Sequence, residues 1–338
     1  MKFSFSVKNS FNEVLSLVLM KIDLFIIYLL VSIVIAFFFP GLAIYKEGVV
    51  LDNLTSIGVS LIFFFYGLKL SFTQIKSGLS NWRLHILVQL STFVLFPLVV
   101  LLFRPFLGTF VSERDWMGFF FLAALPSTVS SSVVMVSLAK GNIPAAIFNA
   151  SISGLIGVLV TPLWMSLFLD FTTENVLADI YTGLILEIIL PVVIGLLLQK
   201  YWGAWVSKYS KQLSNFDKFI ILLIVYSSFA HSFENGIFSS LSYSYLLILF
   251  VAVIALFALT YGIIFLLGKY LLGFNHQDQI TALFCGSKKS LTHGSVFGKF
   301  IFLNNPYAGL YFLPIMVYHA FQIFIVTFIA QRYSKETP

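Results

Sequence analysis

Apolar stretches of about 20 residues, the length that spans a bilayer as an α-helix, recur along nearly the whole chain. Short segments between them carry most of the charged residues. The pattern predicts ten spans, near residues 24–40, 54–73, 84–103, 116–139, 144–169, 180–199, 217–233, 245–268, 279–300 and 308–331. Because the apolar runs are continuous and do not alternate with period two, an outer-membrane barrel is excluded. We therefore predict an all-α polytopic membrane protein.

The composition supports this interpretation. Hydrophobic residues make up 59% of the 338 residues, charged residues only 10%, and the mean hydropathy is +0.98. Soluble domains average about 25% charged residues. The single cysteine, Cys285, excludes an intrachain disulfide.

Lysines and arginines are concentrated in alternate segments, starting with the N-terminus. Because cytoplasmic loops carry an excess of these residues, we predict both termini in the cytoplasm and, for a bacterium, location in the inner (plasma) membrane. The net charge of +6 then reflects orientation, and no nucleic-acid partner is expected. Residues 1–22 are predicted to be a cytoplasmic or interfacial lead-in without a cleavable signal, and residues 333–338 a cytoplasmic tail.

Two spans are interrupted by polar residues. The fourth reads "FFFLAALPSTVSSSVVMVSLAKGN", where Pro126 precedes a run of hydroxyl side chains. The ninth reads "ITALFCGSKKSLTHGSVFG", where Gly286 and Gly294 enclose a polar run. Unwound backbone at membrane depth is tolerated only where it lines a cavity or is buried in protein.

Each interrupted span is the fourth in a group of five. Since five is odd, the second group, residues 171–332, is predicted to be inverted relative to the first, residues 23–170. Paired helix breaks in two inverted halves are typical of transporters with a binding site near the midplane. We expect the unwound segments, near 126–132 and 285–291, to cross there.

The ninth span also contains two adjacent lysines, Lys288 and Lys289, with no acidic residue closer than Asp278. A charge at this depth costs several kcal/mol and usually has a function. The alternative is that the span ends early and both lysines extend into the headgroups.

Three stretches, "LPSTVSSSVVMVSLAKGNIPAAIFNASISG", "FCGSKKSLTHG" and "LPIMVYHAFQIFIVTFIA", resemble the bile acid:sodium symporter superfamily. The resemblance covers about residues 20–331. It is strongest to the branch of YfeH-like proteins and the orphan seventh member of human solute carrier family ten. It implies a panel domain (spans one, two, six and seven), a core domain (three to five and eight to ten) and alternating access.

In sodium-coupled members of that superfamily, two sodium ions lie behind the crossing and bind oxygen ligands. The resemblance makes five residues possible sodium ligands, namely Gln89, Ser131, Ser132, Asn149 and Ser153. The ninth span departs from the sodium-coupled pattern, because Phe284 and Lys288 stand where that pattern has a glutamate and a glutamine. We therefore expect proton-coupled or uncoupled transport.

The candidate substrate- or ion-binding residues are the polar side chains at and around the two breaks. They are Gln89, Thr128, Ser130, Ser131, Ser132, Asn149, Ser153, Ser287, Lys288, Lys289, Ser290, Thr292, His293 and His319. The alternatives are serines that bond back to their own helix and amides that join helices. The two histidines could relay protons or act as structural donors. Glu187 could gate the panel or bind a cation there, or lie shallower than predicted.

The leading hypothesis is a secondary transporter of a small organic anion, with Lys288 either the coupling group or a fixed charge. The alternatives are a sodium-coupled organic anion symporter, a non-transporting membrane regulator, and an intramembrane enzyme with Lys288 or His293 as base. We favour no enzyme, because metal and nucleophile motifs are missing from the sequence. The expected partners are the lipid bilayer and the solute, with sodium or a proton as coupling ion and no other cofactor. The oligomeric state is left open, and a monomer is compatible with the sequence.

Overall fold

The computed structural model describes residues 24–44, 49–70, 81–107, 112–169, 176–240, 243–303 and 305–336. Within these ranges the elements are helices, and no strand is present. The α-helices are α1 (Leu24–Phe38), α2 (Gly41–Ile44), α3 (Val49–Lys69), α4 (Trp82–Leu90), α5 (Phe96–Leu107), α6 (Glu113–Ala124), α7 (Ser130–Leu138), α8 (Ile143–Ser166), α9 (Val176–Leu184), α10 (Leu190–Lys208), α11 (Ser210–Glu234), α12 (Tyr243–Leu266), α13 (His276–Gly286), α14 (Leu291–Ile301) and α15 (Ala308–Glu336). The predicted lead-in, 1–22, and the join between the predicted halves, near 170–175, lie outside the described residues.

Seven helical runs in the described part of the chain are long and apolar enough to cross a membrane. They are Val50–Lys69, Trp82–Phe106, Ile143–Ser166, Val176–Lys208, Ser210–Glu234, Tyr243–Leu271 and Ala308–Lys335. The remaining predicted spans correspond to α1, which has 15 residues, and to the interrupted pairs α6–α7 and α13–α14. The chain is therefore an integral, multi-pass membrane protein, as the hydropathy pattern predicts.

Short π-helical turns occur within three of these runs, at Ser91–Leu95, Ile185–Ile189 and Leu267–Leu271. The first precedes Pro97, which has no amide hydrogen to donate to the Phe93 carbonyl. The indole Nε1 of Trp164 donates to that carbonyl instead, at 2.9 Å. A side chain from α8 thus compensates for the proline in the neighbouring run.

The two interrupted helices have short breaks. Pro126 disfavours helical backbone at Leu125, which is extended (φ −71°, ψ 152°), and α6 ends there. The first break covers residues 125–129 and the second covers 287–290. The first unwound segment is therefore shorter than predicted, since the serines at 130–132 already form the first turn of α7.

Helices α3 and α10 pack at close range through two glycines. A Cβ on Gly67 would overlap the Val192 carbonyl oxygen, and one on Gly195 would overlap that of Phe64. Small residues allow membrane helices to approach closely, where van der Waals contact stabilises their association. The two helices are held together by this backbone-to-backbone fit.

Three helix N-termini meet at one carboxylate. Asn81, Asn142 and Asn275 are the N-cap residues of α4, α8 and α13, and each side-chain oxygen accepts an amide hydrogen of its own helix. Their Nδ2 groups donate to Asp278, at 2.6, 2.8 and 3.2 Å respectively. The buried carboxylate also faces the positive ends of these helices, which stabilises its charge.

We predict that Asp278→Asn destabilises the protein by about 2–4 kcal/mol, since hydrogen bonds to a charged group contribute more than neutral ones. The change replaces one acceptor oxygen with an NH2 group, which would face the N–H donors of the asparagines and could not accept from them. The measurement is thermal unfolding of the purified protein in detergent. Asp179→Asn is the matched control, because Asp179 is exposed in the first turn of α9. Equal melting temperatures for both variants would contradict the role of Asp278.

Candidate functional site

The two helix breaks contact each other directly. The Ser127 hydroxyl donates to the Cys285 carbonyl at 2.6 Å, and the Ser290 amide donates to the Pro126 carbonyl at 2.9 Å. The Ser127 amide donates to Ser153 Oγ on α8 at 3.0 Å. The predicted contact between the two unwound segments is therefore present.

A cluster of hydroxyl groups continues from this contact. Thr128 Oγ1 lies 2.7 Å from Ser132 Oγ and accepts from Ser131 Oγ at 2.9 Å. Ser132 also donates to the Phe284 carbonyl at 3.2 Å. Ser130 does not belong to this cluster: its side chain is exposed, because consecutive helical residues differ by about 100° in direction. Three of the four predicted hydroxyl ligands at the first break thus lie together.

Lys288 contacts this hydroxyl cluster from the ninth span. Its side chain is fully buried, and Nζ donates to the Ser131 backbone carbonyl at 2.9 Å and to the Ser131 hydroxyl at 3.3 Å. Helix α7, where Ser131 lies, begins without a side-chain N-cap. The ammonium and an uncapped helix N-terminus, which both favour anions, are therefore adjacent.

Lys289 is fully buried too, and it points to a different place. Its Nζ donates to three backbone carbonyls at 2.7 Å each, those of Thr92, Ala123 and Leu125. In the described part of the chain, neither lysine forms a salt bridge. The alternative in which both lysines extend into headgroups is wrong, because backbone carbonyls inside the protein accept their hydrogens.

The predicted amide ligands form a separate pair one turn from the crossing. Gln89 Nε2 donates to Asn149 Oδ1 at 3.1 Å, and Asn149 Nδ2 contacts His85 Nδ1 at 2.9 Å. Gln89 Oε1 is buried, with no partner among the described residues. Asn149 lies one helical turn before Ser153, so both face the same side of α8.

The polar side chains at the second break have mainly structural contacts. Ser287 Oγ bonds back to the Leu283 carbonyl at 2.7 Å, and Ser290 caps α14 by accepting from the His293 amide. Thr292 is half-buried. Here the structure supports the alternative of back-bonding and capping.

The two candidate histidines lie apart. His293 is buried with Nδ1 2.9 Å from Ser290 Oγ, and a Cβ added to Gly154 would lie only 2.6 Å from its Nε2. His319 is half-buried on α15, where its Nδ1 lies 3.0 Å from Nε2 of Gln322. The two rings thus have different hydrogen-bond partners, Ser290 for His293 and Gln322 for His319.

Gln322 has a role that the sequence did not reveal. Its Oε1 accepts from the Lys289 amide at 2.8 Å, and its Nε2 donates to the Lys289 carbonyl at 2.7 Å. Tyr318 OH, one turn earlier, donates to the Ser287 carbonyl at 2.6 Å. Helix α15 therefore supplies the partners that the second break lacks. Only the polarity of these residues in an apolar span could have indicated it.

A second polar region lies between α3, α11 and α14. It contains a cavity of about 310 Å³ whose lining includes Asp52, His231 and Lys299. Lys299 also forms a salt bridge with Glu187 at 3.4 Å and a hydrogen bond with Ser56. Glu187 is therefore paired, and the sequence could indicate this only through the general need of a buried carboxylate for a partner.

Comparison with known proteins places these features in context. A family model described as the SBF-like CPA transporter family matches residues 23–335. An uncharacterized protein of Pseudomonas aeruginosa is 38% identical over 315 residues, 93% of each chain, and the YfeH protein of Escherichia coli K12 is 34% identical over 316 residues, 94% of each chain. A mouse protein named sodium/bile acid cotransporter 7 is 30% identical over 271 residues, 80% of this chain and 79% of its own length.

We predict that Gln322→Leu lowers the stability markedly, because it leaves a buried amide and a buried carbonyl of Lys289 unpaired, at about 1–3 kcal/mol each. Gln89→Leu is the control with the same change of side chain, since among the described residues Gln89 donates to Asn149. Thermal unfolding of both variants in the same detergent tests this. If Gln89→Leu is the more destabilised variant, α15 does not support the second break as described.

Proposed function

This chain belongs to the SBF-like CPA transporter family, and from that premise we propose that it carries a small organic anion across the membrane by alternating access. That it is a membrane transporter of the bile acid:sodium symporter type follows from the family. The substrate, the coupling ion and the moving parts are our proposal. A single observation supports this proposal. The two broken helices contact each other directly, and the second break contains two buried lysines.

The proposed architecture has ten crossings, formed by the seven long runs, α1 and the two interrupted pairs. We assign α1, α3, α9–α10 and α11 to a panel domain and the remaining spans to a core domain. In support, α3 packs against α10 and α11, and α11 packs against α1. The two groups of five crossings are proposed to be inverted repeats, with both termini in the cytoplasm and the protein in the bacterial inner membrane.

The proposed anion site is the hydroxyl cluster beside Lys288. An ammonium and the uncapped start of α7 are donors that suit a carboxylate or sulfonate group, and Ser131 holds the ammonium beside that helix start. Ser130, exposed at the same helix start, lies on the side from which a solute could approach. The remaining candidate ligands, Asn149 and Ser153 among them, would then position these donors.

The proposed solute path includes the cavity between α3, α11 and α14. Two of these helices belong to the proposed panel and the third to the proposed core, so the cavity would change volume as the domains move. Lys299, which is paired with Glu187 and Ser56 across that boundary, is the cation on this path. Binding sites at such an interface are expected for carriers with repeated halves.

Coupling is proposed to be independent of sodium. A buried lysine can supply positive charge itself, and its ammonium has a proton that it can release. Lys288 has one described partner residue and faces the proposed anion site, which makes it the candidate coupling group. The competing candidate is sodium symport, favoured by the unpartnered Gln89 Oε1 and by the name of the mouse relative.

The transport proposal predicts that small organic anions raise the melting temperature of the protein, because a ligand that binds the folded state stabilises it. A panel of monocarboxylates, dicarboxylates and a bile acid, each with and without sodium, is the first measurement. Anions that bind are then tested for uptake into proteoliposomes. Uptake should persist when choline replaces sodium. Strict dependence on sodium would favour the competing candidate, and absence of any flux would favour a regulator.

The coupling proposal predicts that uptake responds to a proton gradient and that Lys288→Gln removes this response. Glutamine retains N–H donors on a side chain one atom shorter, and it cannot ionise. Lys269→Gln is the control, because Lys269 is exposed. A pH profile unchanged in Lys288→Gln, or lost equally in both variants, would show that Lys288 is a fixed charge or merely structural.

A further inference from the structure

The surroundings of Lys289 are a cage made of backbone oxygens. An ammonium has three N–H donors, and all three are directed at carbonyls 2.7 Å away. The ring of Phe96 closes the cage, with Nζ 4.2 Å from the ring centroid. The face of an aromatic ring attracts cations. The side chain is 0% exposed, so bulk solvent does not reach this site.

The three carbonyls are available because the helices that contain them are interrupted. In a continuous helix, the Ala123 carbonyl would accept from the Ser127 amide, but that amide donates to Ser153. The Leu125 carbonyl lies at the end of α6, where the helix has stopped. Helix carbonyls at a C-terminus have no intrahelical donor and carry partial negative charge.

The third carbonyl, that of Thr92, is released by the π turn at Ser91–Leu95. Its usual donor, the Phe96 amide, bonds to the Ser91 carbonyl instead. The next residue, Pro97, has no amide hydrogen. Two interruptions of helix geometry, the break that ends α6 and the π turn at Ser91–Leu95, therefore direct three unsatisfied oxygens at one point.

A group of uncharged oxygens around a small cavity is the donor set that proteins use for bare alkali cations, as in potassium channels. Here the charge is not balanced by an acid, since no described carboxylate lies within salt-bridge distance of Lys289. The partial negative charges of the carbonyl oxygens and of the aromatic face stabilise the ammonium. Such a cage therefore binds a cation, and the net positive charge remains.

We propose that this cage is a monovalent-cation site that the protein fills with its own Lys289 ammonium. The lysine is thus a tethered substitute for an alkali ion. Gln322 holds the backbone amide and carbonyl of Lys289, and the cage oxygens belong to other segments, so the site persists when the side chain is shortened. The inference deepens the proposed sodium-independent transport, but its test does not require transport.

The test is rescue of Lys289→Ala by external cations. The variant and the wild type are purified in detergent in choline chloride, which is too bulky for the cage, and their melting temperatures are measured. Choline is then replaced at constant ionic strength by methylammonium, ammonium, potassium or sodium. We expect the variant to melt at least about 5 °C lower in choline and to recover saturably with one or more small cations, while the wild type does not respond.

Two further variants make the outcome decisive. Lys289→Met fills the cage with an apolar chain that cannot donate, so it should melt lower than the wild type and show no recovery with any cation. Lys288→Ala removes the neighbouring ammonium, whose hydrogen bonds in the described part of the chain go to Ser131, and it should show no cation-specific recovery.

Three results would overturn the proposal. They are an absence of cation-specific recovery in Lys289→Ala, an equal response in Lys288→Ala, or a wild-type melting temperature for Lys289→Met. If Lys289→Ala cannot be purified in choline, purification in methylammonium must restore its yield, and failure there counts against the cage. Because each readout is thermal, a failed transport assay would leave this result intact, and the reverse also holds.

Discussion

Backbone polar groups at a helix break must find hydrogen-bond partners when lipid and packed protein exclude water. The breaks of α6–α7 and α13–α14 meet this requirement with each other and with side chains of other helices. Thr161 donates to the Ala124 carbonyl, Ser127 to that of Cys285, and Tyr318 to that of Ser287. Four polar residues of α8 and α15 meet this requirement, since each of them serves a group that an interruption has released: Ser153, Thr161, Tyr318 and Gln322.

The two lysines also donate to backbone carbonyls near the breaks, but they differ in the number of their partners. Lys289 uses all three of its N–H donors on carbonyls that the helix interruptions have released. Lys288 bonds to one residue at the edge of the hydroxyl cluster. Adjacent positions in sequence thus direct two buried ammonium groups to different partners.

Hydropathy was sufficient for the fold class, and Pro126 and Gly286 were sufficient to locate the two breaks, because these signals are local. Contacts between distant segments could not be derived in this way. Nothing in a single sequence pairs Asn81 with Asp278, Glu187 with Lys299, or Gln322 with the backbone of residue 289. The direction in which each side chain leaves the helix also decided which neighbours share a site. Ser131 and Ser132 join the hydroxyl cluster, whereas Ser130 faces away from it. The resemblance implied the region of the site, while the individual partners depended on packing.

The meeting of three helix N-termini at the Asp278 carboxylate has a consequence for biosynthesis. Two of its asparagines, Asn81 and Asn142, enter the membrane with the first half of the chain, and the carboxylate that binds them follows 197 and 136 positions later. Contacts of such large sequence separation form late and slow folding. The side-chain amides of Asn81 and Asn142 therefore lack this carboxylate until the second half of the chain has been made.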